Sequence, residues 1–151
     1  MPCPPLPVVH LTAKLGGVGR LLQLLDSRPD MVDADDHEVT RQSPLHYACE
    51  AGRVGAVRLL LDRAACIDRR DAMGYTPLMV ACKYGWAEVV SLLLARGADT
   101  GLRNCCYLQE TVLMHACCCT SPPTSPGSDH VAVVRLLLKH GAAAAINERD
   151  R

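Results

Sequence analysis

The sequence predicts an all-α fold of helix pairs stacked side by side, and three observations predict it. First, "SPLHYACEAG" from Ser43 recurs as "TPLMVACKYG" from Thr76, 33 residues later. Second, "VRLLLDRAA" from Val57 recurs as "VSLLLARGA" from Val90 at the same offset of 33. Third, the triple leucine returns in "VRLLLKHGA" from Val134, 44 residues after Val90. A fixed period of this length is the mark of a repeat architecture, in which each unit buries its apolar face on its neighbours.

The elements follow in order within each unit. Ser43, Thr76 and Thr111 stand where a hydroxyl would cap a first helix, satisfying backbone N–H groups that have no partner inside the helix. Pro44 and Pro77 come next, at the helical position where a missing N–H costs nothing. Gly52 and Gly85 end the first helices, and Gly97 and Gly141 the second, as expected of C-terminal glycines. Leu45, Leu78 and Leu113 form one buried row, and the triple leucines form another.

The last unit begins at "TVLMHACCC", 35 residues after Thr76, so it gains two residues before its first helix and nine between its helices. Those nine explain most of "CCCTSPPTSPGSDH", from Cys117 to His130, as an insertion at the helix–helix turn. Ser128 or Asp129 is expected to cap the displaced second helix, starting near His130. A degenerate first unit places Ala13, Gly17, Leu24 and Leu25 each 35 before Ala48, Gly52, Leu59 and Leu60. The expected organisation is one domain over 1–151. Its units run about 8–40, 41–73, 74–106 and 107–150, the last carrying the insertion 118–129.

Composition excludes several functions. Hydrophobic residues make up 49%, charged residues 21%, and the formal net charge is zero. That is a globular composition with no basic footprint for nucleic acid. The proline-rich start "MPCPPLPVVH" lacks the basic and apolar regions of a secretory signal. No apolar run approaches a membrane span. A soluble cytoplasmic or nuclear protein is expected, and its nine cysteines are then thiols by default.

The chain resembles the ankyrin-repeat family in "SPLHYACEAG…AVRLLLDRAACIDRRD" and "GYTPLMVACKYGWAEVVSLLLARGAD". The resemblance covers nearly the whole chain. It implies an all-α ankyrin-repeat solenoid with β-hairpin-like fingers projecting at right angles. It also implies a concave face, made of the fingers and first helices, that recognises other proteins. The family shares no catalytic residue. Several positions depart from its pattern: Met79 and Met114 replace the histidine kept at His46, and Val112 replaces a proline. Arg41 and Gln109 stand where the finger glycine is usual, whereas Gly74 keeps it. Positive φ is unfavourable without glycine, so altered first and third fingers are expected. The final "AAINERDR" aligns with the residues just before a next unit. The expectation is therefore either a fragment of a longer protein or an exposed last helix pair.

Cys49, Cys82 and Cys117 share one repeat position and read as small buried hydrophobes. Cys105, Cys106, Cys118 and Cys119 with His115 offer thiolates and an imidazole of the kind zinc takes. The chain has no C-x2-C pair, however, so no metal or other cofactor is expected. A metal- or redox-responsive regulatory protein built on that cluster is the alternative function. His115 near Cys118 lacks the third group a catalytic cysteine needs, so no enzyme is expected. Ser121-Pro122 and Ser125-Pro126 read as a loop that a proline-directed kinase could modify.

The chain has only five aromatic residues, four Tyr and one Trp. Three of them, Tyr75, Tyr84 and Trp86, fall in one unit at positions read as surface. Tyr and Trp are enriched at binding hot spots. The expected function is a non-catalytic protein–protein interaction module, a scaffold or adaptor, alone or within a larger polypeptide. Its expected binding residues are Gln42, Glu50, Met73, Tyr75, Lys83, Tyr84 and Trp86, and its expected partner is another protein.

Overall fold

The computed structural model describes residues 7–36, 40–105, 110–117 and 129–141. Among these residues the chain forms eight α-helices, no strand and one short 3₁₀ helix. They are α1 (Val8–Leu15), α2 (Val18–Ser27), α3 (Pro44–Glu50), α4 (Val54–Asp62), α5 (Pro77–Tyr84), α6 (Ala87–Ala95), α7 (Val112–Cys117) and α8 (His130–Lys139), with the 3₁₀ turn at Pro29–Asp33. First helices α1, α3, α5 and α7 pack in one layer, and second helices α2, α4, α6 and α8 in another. None of these helices is long enough to hold itself together in water. The stack supplies what each lacks by burying Leu21, Leu45, Leu60, Leu78, Leu93 and Leu137 completely.

The capping chemistry matches the sequence. Thr76 Oγ1 accepts from Met79 N at 3.3 Å, and Thr111 Oγ1 from Met114 N at 3.4 Å. Asp129 caps α8, its Oδ1 accepting from Ala132 N at 2.9 Å. Ser43 works with His46: its N–H donates to His46 Nδ1 at 3.2 Å, and its hydroxyl lies 2.9 Å from the same nitrogen. With Nδ1 accepting, the imidazole proton sits on Nε2, which donates to Tyr75 O of the next loop at 3.0 Å.

An Asp or Asn side chain closes the loop before each of α3, α5 and α7. Asp36 N donates to Gln42 O at 3.0 Å, and Gln42 N returns a bond to Asp36 Oδ1 at 2.8 Å. Asp71 and Tyr75 repeat the pair at 3.0 and 2.8 Å, and Asn104 and Glu110 at 3.2 and 2.9 Å. The loops also bond to each other, Ala72 N to Thr40 O at 2.9 Å and Cys105 N to Met73 O at 3.0 Å. One isolated antiparallel bridge joins Arg103 to Thr111.

Three expectations are corrected here. The first unit runs 36 residues, not 35, before its counterpart: His10 bonds Gln42 O as His46 bonds Tyr75 O. Likewise Asp26 pairs with Arg63 at 2.7 Å as Asp62 pairs with Arg96 at 2.8 Å. Cys49 and Cys82 are buried, but Cys117 is exposed. Arg41 takes the positive φ, +51°, that Gly74 takes at +80°. At Gly74 a β-carbon would approach Cys105 N to 2.5 Å, so there only glycine fits. Gln109 lies outside the described residues. Trp86, read as surface, is partly buried against the core.

Candidate functional site: a groove on the concave face

One repeat position explains the shape of the concave face. Tyr47, Val80 and His115 occupy equivalent places in α3, α5 and α7, and all three are buried. The Tyr47 hydroxyl donates to Asp36 at 2.7 Å. His115 lies 3.5 Å from the Glu110 carboxylate and 3.4 Å from the Asn104 amide. Valine between two rings leaves a dip. It opens into a groove of about 290 Å³ lined by Gln42, Glu50, Asp71, Met73, Tyr75, Val80, Lys83 and Tyr84.

The lining is organised by hydrogen bonds and ring contacts. Asp71 Oδ1 accepts from Met73 N at 2.9 Å and Tyr75 N at 2.8 Å, and its Oδ2 accepts from the Gln42 amide at 3.3 Å. Lys83 Nζ lies 5.9 Å from the Tyr75 ring centre and 5.8 Å from that of Tyr84, within cation–π range. Glu50 pairs with Lys14 at 3.2 Å, and the Lys14 ammonium lies 5.5 Å from the Tyr47 ring centre. The Tyr75 ring also meets His115 at 5.0 Å between centres. Met73 is 57% and Tyr84 38% exposed, high for side chains of such apolar area.

Six of the seven sequence-predicted residues therefore meet in one groove. The seventh, Trp86, does not line it. Its indole N–H donates to Glu50 O at 2.9 Å, and its ring covers Gly52 in the turn of the preceding unit. Asp71 and Val80 were missed by sequence reasoning. The signal for Val80 was present in the repeat alignment, where a small residue falls between Tyr47 and His115. Asp71 was legible only as one of several acids before the capping threonine.

The buried histidines beside this face favour the neutral form. Burial pushes His46 and His115 below the ordinary imidazole range, against the opposing pull of Asp71 and Glu110 respectively. The Cys49 thiol is pushed up by burial and is unreactive. Of the alternative metal cluster, Cys106, Cys118 and Cys119 lie outside the described residues. Cys105 is exposed and His115 is engaged as above. Among the described residues no group of three or more His, Cys, Asp or Glu could hold a metal ion, and no helix is long and apolar enough to cross a membrane.

A family model described as ankyrin repeats (3 copies) matches residues 9–104 and again 73–150. The chain belongs to the ankyrin-repeat family. The two matches overlap across 73–104, the stretch that supplies α5, α6 and most of the groove. Ankyrin repeats are protein-interaction modules and typically non-catalytic. In this ankyrin-repeat chain the groove lies where loops and first helices meet.

Proposed function

We propose that this ankyrin-repeat chain is a non-catalytic scaffold or adaptor that binds a segment of another protein in the groove over Val80. The observation that carries the reading is convergence: Gln42, Glu50, Met73, Tyr75, Lys83 and Tyr84 line one concavity with a buried apolar floor. Exposed Tyr and Met beside a few polar groups is the composition of a binding hot spot. Trp86 supports the groove from behind rather than contacting the partner.

The test is capture of partners on the immobilised intact chain, compared with capture on Val80→Tyr. Tyrosine already occupies the equivalent position at Tyr47, hydroxyl-bonded to Asp36, so the substitution fills the groove without breaking the unit. Binding of the captured partner should fall about tenfold or more, a change of about 1.4 kcal/mol. Equal binding by Val80→Tyr and the parent would remove the groove from the function.

A further inference from the structure

We infer that the two ends of the helix stack are two halves of one interface, through which copies of this chain stack head to tail. The inference is independent of the groove over Val80. Among the described residues ten large apolar side chains stand exposed. Two of them, Met73 and Tyr84, lie in the groove. Five more, Val8, Leu11, Leu15, Val18 and Leu22, lie on α1 and α2 at the head of the stack. The last three, Met114, Val131 and Leu138, lie on α7 and α8 at its tail. Exposed apolar side chains gathered in patches, rather than scattered singly, mark interaction surfaces.

Repeat register identifies what the tail is shaped to meet. Met114 and Leu138 stand 35 and 44 residues after Met79 and Leu94. Met79 and Leu94 are 0% and 8% exposed, against 42% and 51% for those counterparts. The difference is a stacked neighbour. α7 packs on α5 and α8 on α6, whereas no described helix packs on the far side of α7 and α8. The tail also holds an apolar hollow of about 270 Å³, lined by Ala116, His130, Val131, Val134 and Arg135. Ala81 and Val90, the counterparts of Ala116 and Val134, are fully buried. The tail therefore presents the surface that an earlier unit buries on the next, and it fits the leading face of another helix pair. Every copy carries such a face, because α3 and α4 pack on one side only of α1 and α2. Each joint inside the chain sets the trailing face of one unit on the leading face of the next, and a head-to-tail joint repeats that arrangement. Two tails would not, and they would oppose like charges, since α8 carries Arg135 and Lys139 and no carboxylate. A joint between unlike faces does not close on itself, so the row lengthens with concentration.

The test is sedimentation velocity on the full chain under reducing conditions, from about 5 to about 500 μM, where association shows itself by mass action. The weight-average mass should rise past that of two copies. Leu15→Glu at the head and Leu138→Glu at the tail should each leave single copies, because the joint would bury an unpaired charge. Both side chains are exposed, so at the lowest concentration each variant should melt like the parent. Mixed in equal amounts, the two variants should form pairs and stop there, the intact tail of one joined to the intact head of the other. Leu11→Glu with Val131→Glu should give the same result, which guards against a variant that fails to fold. A parent chain that stays a single copy throughout would overturn the inference. So would a closed pair that survives either variant alone, the mark of like faces meeting, or a mixture that remains unpaired.

Discussion

Trp86 lies on Gly52: a β-carbon built at Gly52 would meet the indole Cδ2 at 2.6 Å, while the indole N–H bonds Glu50 O at 2.9 Å. The same lock recurs on both sides. Arg53 covers Gly16 and its Nε donates to Lys14 O at 3.1 Å. His130 covers Gly85, with Nε2 3.2 Å from Lys83 O. Each time, the residue entering a second helix covers the left-handed glycine closing the previous unit's first helix. It also meets the carbonyl two residues before that glycine. Gly16, Gly52 and Gly85 have φ of +77°, +66° and +75°, and each leaves room for the flat group above it. Guanidinium, indole and imidazole are interchangeable here because each is planar and carries an N–H.

Trp86→Ala should therefore lower stability rather than act on binding alone. Loss of a half-buried ring and its hydrogen bond should cost about 2–4 kcal/mol in a urea melt. Trp86→Phe should recover most of it, falling short by about 1 kcal/mol for the missing N–H. A Trp86→Ala melt superimposable on the parent would return the ring to the surface.

Leu60 and Leu93 are fully buried in equivalent places in α4 and α6. Either one changed to alanine should cost about 2–5 kcal/mol, the range for a cavity that a rigid surround cannot close. Arg58→Ala and Ser91→Ala, both exposed on the same helices, should stay within about 0.5 kcal/mol. If the leucine and surface variants melt alike, the buried row has been drawn on the wrong face.

Ala64 holds φ at +62°, in the place where Gly97 and Gly141 hold +87° and +83°. An alanine in the left-handed region is strained. Ala64→Gly should stabilise by up to about 1 kcal/mol, reduced by glycine's greater freedom when unfolded. The urea midpoint should rise, and a fall of the same size would mean the alanine methyl contributes packing there.

His10, His46 and His115 are all held below the ordinary imidazole value of about 6.5, burial being the main cause in each. The unfolded chain then binds more protons than the folded one below that value. Stability is complete above it and is lost as pH falls toward the folded values. Thermal midpoints should drop between about pH 7.5 and 5. His46→Met should make that dependence shallower, since Met79 fills the equivalent buried position without a titratable group. A midpoint flat across that range would mean that folding does not lower the imidazole pKa values.

Repeat arithmetic determined the fold class, the helix order, the capping residues and the buried leucines. These depend on spacing within one helix or one turn, and the 33-residue period displays that spacing directly. It also marked six residues that meet in the groove, because exposed polar and aromatic side chains at matching positions of two neighbouring units end on one face. Only the tertiary structure decided the roles of Trp86, Val80, Arg41 and the first unit's register. Trp86 and a surface tyrosine look alike in sequence. The indole is held by Gly52, 34 positions away, and only stacking brings the two together. Val80 becomes a groove floor because its neighbours in space are larger, not through any property of valine. Arg41 accepts a strained φ because the Asp36–Gln42 bonds around it outweigh a local preference worth about 1 kcal/mol. Periodicity gives each side chain's direction from its own helix. What it meets there is set by the packing of the next unit.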